Sequence, residues 1–531
     1  MVMSGVLKCG LVRAVGRLPP ALSRALAITA IPCQATAAAA AAAAAQKAPV
    51  ARPVSQVPGP RAYPVIGVLP SVLLDRSFTP KYIHLFMQKM AQKYGPIFQL
   101  SLPFNPPMVV VVRPEDAEAL IGATMNNPLR QGFGSLQKIK DETADNYFEN
   151  KNGLLLENGE EWWRVRSRVQ SSMMRVKEVL HYLPVMDQIS LEFMDRIALH
   201  QRQFAEMPNY FQNELYKWAL ESVGSVALNR RLGCLAPNLA ADSEPMKLIK
   251  LTNDIFYYLS EVEFNIHFWR LIRTPSYRKL QKAHQEFLEI ADKNIRETEA
   301  ALQAQPASEE LDLTLMEALL LKPGLSRKDV VTLILDMLFA GIDTTSHTMT
   351  FTLYLLAKHP EVQRRLQEEV DTVLGQHTGP LTYHHLARLS YLKAVIKESM
   401  RVIPTTIGMS RNLDNDIVLS GYLIPKGWMV LVNAMLMGWD ESLFPRAKEF
   451  IPERWLRNRP LGPINPYTVL QFGAGTRMCI GRRIAEQEMY TFLARAMQRF
   501  TVDYKHEDLE VVNRVVFAPK KPLRFTFTER N

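Results

Sequence analysis

At 531 residues, with 47% hydrophobic and 22% charged side chains, the chain exceeds the usual single domain and has material for a sizeable core. Its four cysteines, Cys9, Cys33, Cys234 and Cys479, are too few and too scattered for a disulfide framework or a zinc site. The formal charge is +10, but Lys8, Arg13, Arg17, Arg24, Lys47, Arg52 and Arg61 are the only charges before Asp75, so the remainder carries about +3 and no nucleic-acid partner is expected.

The acid-free start places Leu7, Leu11, Val15 and Leu18 on one side of a notional helix, with Arg13 and Arg17 opposite. That is the composition of an organelle transit peptide, and residues 1–50 read as such a leader with an Ala-rich linker. The stretch 25–45 is mostly alanine, interrupted by Pro32, Cys33 and Gln34, and makes a poor membrane span. Residues 51–80, with Pro58, Pro60 and Pro64 close together, read as a stiff extended hinge. From residue 81 to 531 helical periodicity dominates, with alternating strand-like stretches at 97–102, 108–112 and 524–527. One mainly α domain with a minor β portion is expected.

Four constellations carry chemistry. Glu160-Glu161-Trp162-Trp163-Arg164-Val165-Arg166 sets Trp162 and Arg166 at i, i+4 on one helix face. A long apolar helix is predicted from Ser326, where Ser326 and Asp329 form a capping box. Within it, Ala340-Gly341-Ile342-Asp343-Thr344-Thr345 predicts a loosened helix: Gly341 removes bulk, and the Thr344 hydroxyl can reach a carbonyl one turn back. Lys393 and Lys397 share a face, as do Glu398 and Arg401, which can pair bidentately. The last and most specific is Phe472-Gly473-Ala474-Gly475-Thr476-Arg477-Met478-Cys479-Ile480-Gly481. Its glycines permit a tight loop whose N–H groups can face the sulfur and favour thiolate. Gly481 is expected to let the following helix approach closely.

This last segment resembles the haem-binding loop of the cytochrome P450 family, F-x-x-G-x-R-x-C-x-G, and further family motifs follow in order over residues 55–531. The resemblance implies the cytochrome P450 fold, a haem b cofactor with Cys479 as axial ligand to the iron, and a thiolate push that favours O–O cleavage. It makes Phe472 a porphyrin contact and Trp162, Arg166, Arg411 and Arg477 holders of the cofactor, the arginines at its propionates. Glu398, Arg401 and Arg454 become a structural triad. Asp343 and Thr344 become the catalytic pair at a dioxygen-binding notch, Thr344 steadying the reduced oxygen and Asp343 relaying protons.

The sequences around Lys393 and Lys397, and Arg482-Arg483 after the loop, are similar to the mitochondrial class. They imply docking of an adrenodoxin-type ferredoxin, itself served by an NADPH-dependent reductase. Invertebrate mitochondrial members, with ecdysteroid-hydroxylating and detoxifying branches, resemble the chain most. The expected function is hydroxylation of a lipophilic sterol or xenobiotic on the matrix side of the inner membrane. Substrate contacts are implied at 130–153, 256–272, 336–340 and 405–409, with Asp336 meeting either a substrate hydroxyl or an internal partner. The apolar run from Phe256 to Ile272 reads either as a peripheral membrane contact or as core. Peroxide rearrangement by a haem-thiolate isomerase or dehydratase, and non-catalytic ligand sensing, are the alternatives.

Overall fold

The apolar stretch after Ser326 dictates the centre of the molecule. In a computed structural model, which describes residues 51–63, 66–68, 70–71, 79–101, 105–265, 267–304 and 313–530, this stretch is one helix, Arg327–Lys358. The predicted leader, residues 1–50, lies outside the described residues, and so do Leu102 and Ile266.

In chain order, the elements that build the site begin with β1 (Ile97–Leu100), β2 (Met108–Val111) and α1 (Gly159–Met174). They continue with α2 (Leu183–Gln203), α3 (Phe211–Ala227), α4 (Glu244–Glu263), α5 (Pro275–Ala304), the central α6 (Arg327–Lys358) and α7 (Ser390–Val402). Strands β3 (Met409–Asn412) and β4 (Met429–Val432) precede α8 (Arg482–Arg499). The chain ends through β5 (Phe500–Asp503), β6 (Val511–Arg514), β7 (Val516–Pro519) and β8 (Thr526–Glu529). The fold is mainly α with a minor β portion, as the periodicity implies.

Helix α6 starts where the sequence says it must. The Ser326 side chain accepts from the Asp329 N–H, and the Asp329 carboxylate accepts from the Ser326 N–H. Beyond the cap it is buried on nearly every side, as a helix in the middle of a large domain must be. It packs chiefly against α3, and each fully buried Leu, Ile, Val or Phe on it contributes about 1.5–3 kcal/mol. By length and composition this is the one described helix that could cross a membrane, and most of it is buried in the protein.

Gly341 does not loosen α6. The helix is uninterrupted, and a Cβ at Gly341 would lie 2.9 Å from Cγ2 of Val223, so the glycine lets α3 close on α6. At Gly481, by contrast, a Cβ would meet no protein atom, so the expected close approach there is absent.

A four-stranded sheet runs β1-β2-β4-β3, with β2 and β4 parallel and the outer pairs antiparallel. Alternation along β3 buries Met409 and Arg411 on one face. The described part of the Pro-rich segment lies against this sheet: Val57 is buried, and the Pro58 carbonyl accepts from the Gln99 N–H at 2.8 Å.

Candidate active site

The loop before α8 is built by its glycines. Gly473 and Gly475 have φ of +68° and +74°, a region that L side chains seldom occupy. The resulting turn brings the Cys479 N–H onto the Phe472 carbonyl at 2.8 Å. Cys479 is exposed on one side although protein surrounds its loop. Burial pushes its thiol up. The N–H of Gly481, bonded to the sulfur, and the guanidiniums of Arg166, Arg482 and Arg130 oppose that rise. The other described cysteine, Cys234, is buried, and its thiol is pushed well up by burial and by Glu221.

Around the loop four guanidiniums converge. Arg477 donates to the Pro128 carbonyl, to Oδ1 of Asn158 at 2.7 Å and to the Glu157 carbonyl, and lies 4.9 Å from the Trp162 ring. Trp162 is the inward tryptophan of the pair, at 2% exposure against 46% for Trp163. Among the described residues Arg166 meets only the sulfur of Met174, and Arg411 only the carbonyls of Ser410 and Ala474. The fourth is Arg130, which bonds the Leu155 carbonyl.

Burial first, then the mutual field of Arg130, Arg411 and Arg166, pulls Arg477 down to about 8. Burial pulls Arg166 and Arg411 to about 10. The Nε atoms of Arg166, Arg411 and Arg477 are buried without partners among the described residues. An arginine does not readily give up its proton, so this field amounts to a strong preference for an anion. Guanidiniums held by neutral carbonyl, amide and thioether acceptors, with no ion-paired carboxylate among the described residues, beside an accessible thiol, fit a dianionic, metal-bearing ligand such as haem.

On α6, every residue from Asp329 to Leu356 is buried except Asp336, Phe339, Ala340, Gly341 and Thr344. Asp336, Ala340 and Thr344 stand at i, i+4, i+8, so they form one accessible stripe on a buried rod. The Thr344 hydroxyl donates to the Ala340 carbonyl at 2.8 Å, as expected. Asp343 is buried, its Oδ1 lacks a partner, and burial, partly offset by Arg514, raises its carboxyl to about 7. Nearby, the Tyr216 hydroxyl and Nε2 of His347 share a 3.0 Å hydrogen bond, and burial lowers His347 to about 3, leaving it neutral.

Glu398, Arg401 and Arg454 come together at 1% exposure or less. Arg401 grips Glu398 with Nε at 2.9 Å and Nη2 at 2.7 Å, while Arg454 donates to Oε1 at 2.9 Å. The remaining donors take up the carbonyls of Gly438, Pro445, Arg446, Ala447 and Glu449. This core reaches the cysteine loop where the Gln471 side chain donates to the Met400 carbonyl at 3.1 Å.

Lys393 is half-buried with Nζ 5.8 Å from the Tyr490 ring, and Lys397 is exposed. Arg482 and Arg483 both reach Glu486, at 2.9 and 3.3 Å. Lys397 and Glu486 both act on Lys393, so the four cations share one neighbourhood, partly neutralised by Glu486. The Arg482 guanidinium also covers the Phe472 ring at 5.5 Å.

Sequence reasoning missed Arg130 as a member of the guanidinium cluster, and missed Asn158, Tyr216, His347 and Arg514. Only His347, four residues after Asp343, carried a readable spacing. The apolar run after Phe256 divides: Phe256, Leu259 and Trp269 are buried, whereas Phe268, Leu271 and Ile272 are exposed.

The cytochrome P450 family model matches residues 57–527. The chain belongs to the cytochrome P450 family, and with it to the haem-thiolate monooxygenases. It is 32% identical over 526 residues to probable cytochrome P450 49a1 of Drosophila melanogaster, covering 95% of this chain and 88% of that one. It is 33% identical over 501 residues to cytochrome P450 CYP12A2 of Musca domestica, covering 90% and 91%. A third relative is the probable mitochondrial cytochrome P450 12a5 of Drosophila melanogaster, 33% identical over 470 residues, covering 85% and 87%.

Proposed function

We propose that this monooxygenase hydroxylates a lipophilic molecule inside mitochondria, drawing electrons from an adrenodoxin-type ferredoxin. The observation that carries the site assignment is the cluster of guanidiniums with no ion-paired carboxylate among the described residues, beside the accessible Cys479 thiol. Cys479 would hold the haem iron through its sulfur, and Arg166, Arg411, Arg477 and Arg130 would hold the propionates, with Trp162 orienting Arg477 and Phe472 offering its ring to the porphyrin. Haem, when bound, supplies the redox chemistry that divides dioxygen between product and water. The balance is one substrate C–H, one O2, two electrons and two protons giving one C–OH and one water.

The chain's own residues manage the protons. Asp343 has a carboxyl that titrates near neutrality and an oxygen with no partner, so it can both take and release a proton at working pH. Thr344 presents its hydroxyl on the accessible stripe one residue away. Peroxide rearrangement consumes no protons, so this pair supports monooxygenation over an isomerase. Lys393, Lys397, Arg482 and Arg483 supply a basic face for an acidic donor, close in sequence to the cysteine loop. The names of the relatives support the mitochondrial compartment. Exposed Phe268, Leu271 and Ile272 support one-sided membrane contact.

Reconstitution of the haem-loaded protein with a ferredoxin and its reductase, screened by mass spectrometry against sterols and xenobiotics, is expected to yield hydroxylated product. Turnover with a microsomal diflavin reductase and none with ferredoxin would refute the compartment and donor. A carbon monoxide spectrum of histidine type would refute Cys479 as the ligand.

A further inference from the structure

A second polar cluster lies at the far end of the accessible stripe on α6. Asp336 and Lys140 are 3.5 Å apart, Oδ1 to Nζ, both largely buried. Lys140 also donates to the Asn152 carbonyl at 2.9 Å, and Oδ2 of Asp336 accepts weakly from the Leu155 N–H at 3.4 Å. Gly153 makes room for the carboxylate, since a Cβ there would lie 2.3 Å from Oδ2. On α5, His284 faces the same space with a buried, unpartnered Nδ1, its ring 6.2 Å from that of Phe148.

These three side chains line a cavity of about 30 Å³ whose other walls are apolar, among them Phe148, Ile255, Phe287, Leu335 and Phe339. That volume holds a water molecule or a hydroxyl-sized head group. The long contacts to Asp336 leave both its oxygens with acceptor capacity, and the ammonium beside it balances the charge. A buried, loosely engaged pair of this kind costs free energy unless something completes its hydrogen bonds.

We propose that Lys140, Asp336 and His284 form an alcohol-binding end of the substrate pocket, selecting a neutral, otherwise apolar molecule with one hydroxyl. The hydroxyl donates to Asp336 and accepts from Lys140. A neutral ligand fits because the pair is already balanced in charge. Asp336 stands eight residues before Thr344, about 12 Å along the helix at 1.5 Å per residue. An anchored molecule therefore offers for oxidation a carbon roughly that far from its hydroxyl. This assignment rests on the monooxygenase reading of the Thr344 end of the stripe.

The test measures equilibrium binding to the haem-loaded full chain with three rigid probes: bicyclohexyl, trans-4-cyclohexylcyclohexanol and the methyl ether of that alcohol. The alcohol is expected to bind roughly 10–100-fold more tightly than the hydrocarbon, the range for a hydrogen bond to a charged group. The ether, which can accept but not donate, should lose most of that gain. Asp336→Asn and Lys140→Met should each erase the preference for the alcohol, read as the ratio of alcohol to bicyclohexyl affinity within the same variant. Equal binding of alcohol and hydrocarbon, or of alcohol and ether, overturns the assignment on the wild-type protein alone, whether or not the variants fold. A preference that survives both substitutions overturns it too. The carbon monoxide spectrum of the same sample reports separately on the Cys479 reading.

Discussion

Two groups of buried arginines in this molecule obey opposite rules. Around Glu398, Arg401 and Arg454 meet a carboxylate and a ring of carbonyls, and Ile451 N–H and Trp455 Nε1 complete the acceptor at 3.0 and 2.8 Å. Around Cys479, by contrast, Arg130, Arg166, Arg411 and Arg477 face one another, and three of them keep an Nε with no partner. The first group is complete as protein and serves the fold. The second bonds neutral protein groups but no ion-paired carboxylate among the described residues, so its positive charge is left for something the chain does not itself provide. Burial therefore does not distinguish a structural arginine from a ligand-holding one; the state of its hydrogen bonds does.

The sharpest way to break this comparison is to empty the first group. Arg401→Ala removes two of the five hydrogen bonds to the buried Glu398, both from a charged partner, and is expected to cost about 3–5 kcal/mol, the usual penalty for breaking a buried ion pair. Denaturant unfolding measures it. A variant of near wild-type stability would show that the triad is not the staple described.

Asp343 tests the same rule on an acid. Its carboxyl has an ordinary value of 3.8 and is raised to about 7 by burial. Between those values the folded state holds a proton that the unfolded state has lost. Stability thus falls as pH climbs from about 4 to about 7 and is level above that. Asp343→Asn escapes the loss, so it should match the wild type near pH 4 and exceed it by up to about 4 kcal/mol at pH 8. Turnover should move the other way, with the pH dependence near 7 removed along with most of the activity. A constant stability difference across that range would contradict the buried-acid account.

Arg477→Gln probes the second group. Without haem the variant gives up bonds to Pro128, Glu157 and Asn158 but relieves a crowd of like charges, so its stability should stay within about 1 kcal/mol of the wild type. With haem it should retain the cofactor about 10–100-fold less well, corresponding to about 1.5–3 kcal/mol for a lost charge-assisted bond. Loss of stability in the haem-free protein would place Arg477 in the same class as Arg401.

Much of this contrast was legible in the sequence. The cysteine loop, the Ser326 cap and the Glu398–Arg401 spacing are local patterns, and each appears where its residues stand. The choice between Trp162 and Trp163 followed from which one shares a face with Arg166. Arg130 was hidden because its place is set by Asn158 and Leu155, more than twenty residues away, through backbone contacts that leave no spacing to read. Lys140, Asp336 and His284 were hidden as a group for the same reason, since they come from three separate helices. Gly341 was visible but misread: its role depends on Val223 across a helix interface, not on its own helix.

The smallest expected effect on stability belongs to Lys397, and it sharpens the comparison from the surface. Lys397 is exposed, so Lys397→Glu should leave stability within about 0.5 kcal/mol of wild type. Its effect should lie in association instead. Reversing one charge of a docking face mainly slows encounter with an acidic partner, raising KM for the ferredoxin several-fold while kcat with saturating donor stays near wild type. The deficit should shrink as salt screens the field, because surface charges lose their reach beyond about 10 Å at 0.1 M. An unchanged KM, or a deficit indifferent to salt, would mean that the donor docks elsewhere and that Lys397 is an ordinary solvated lysine.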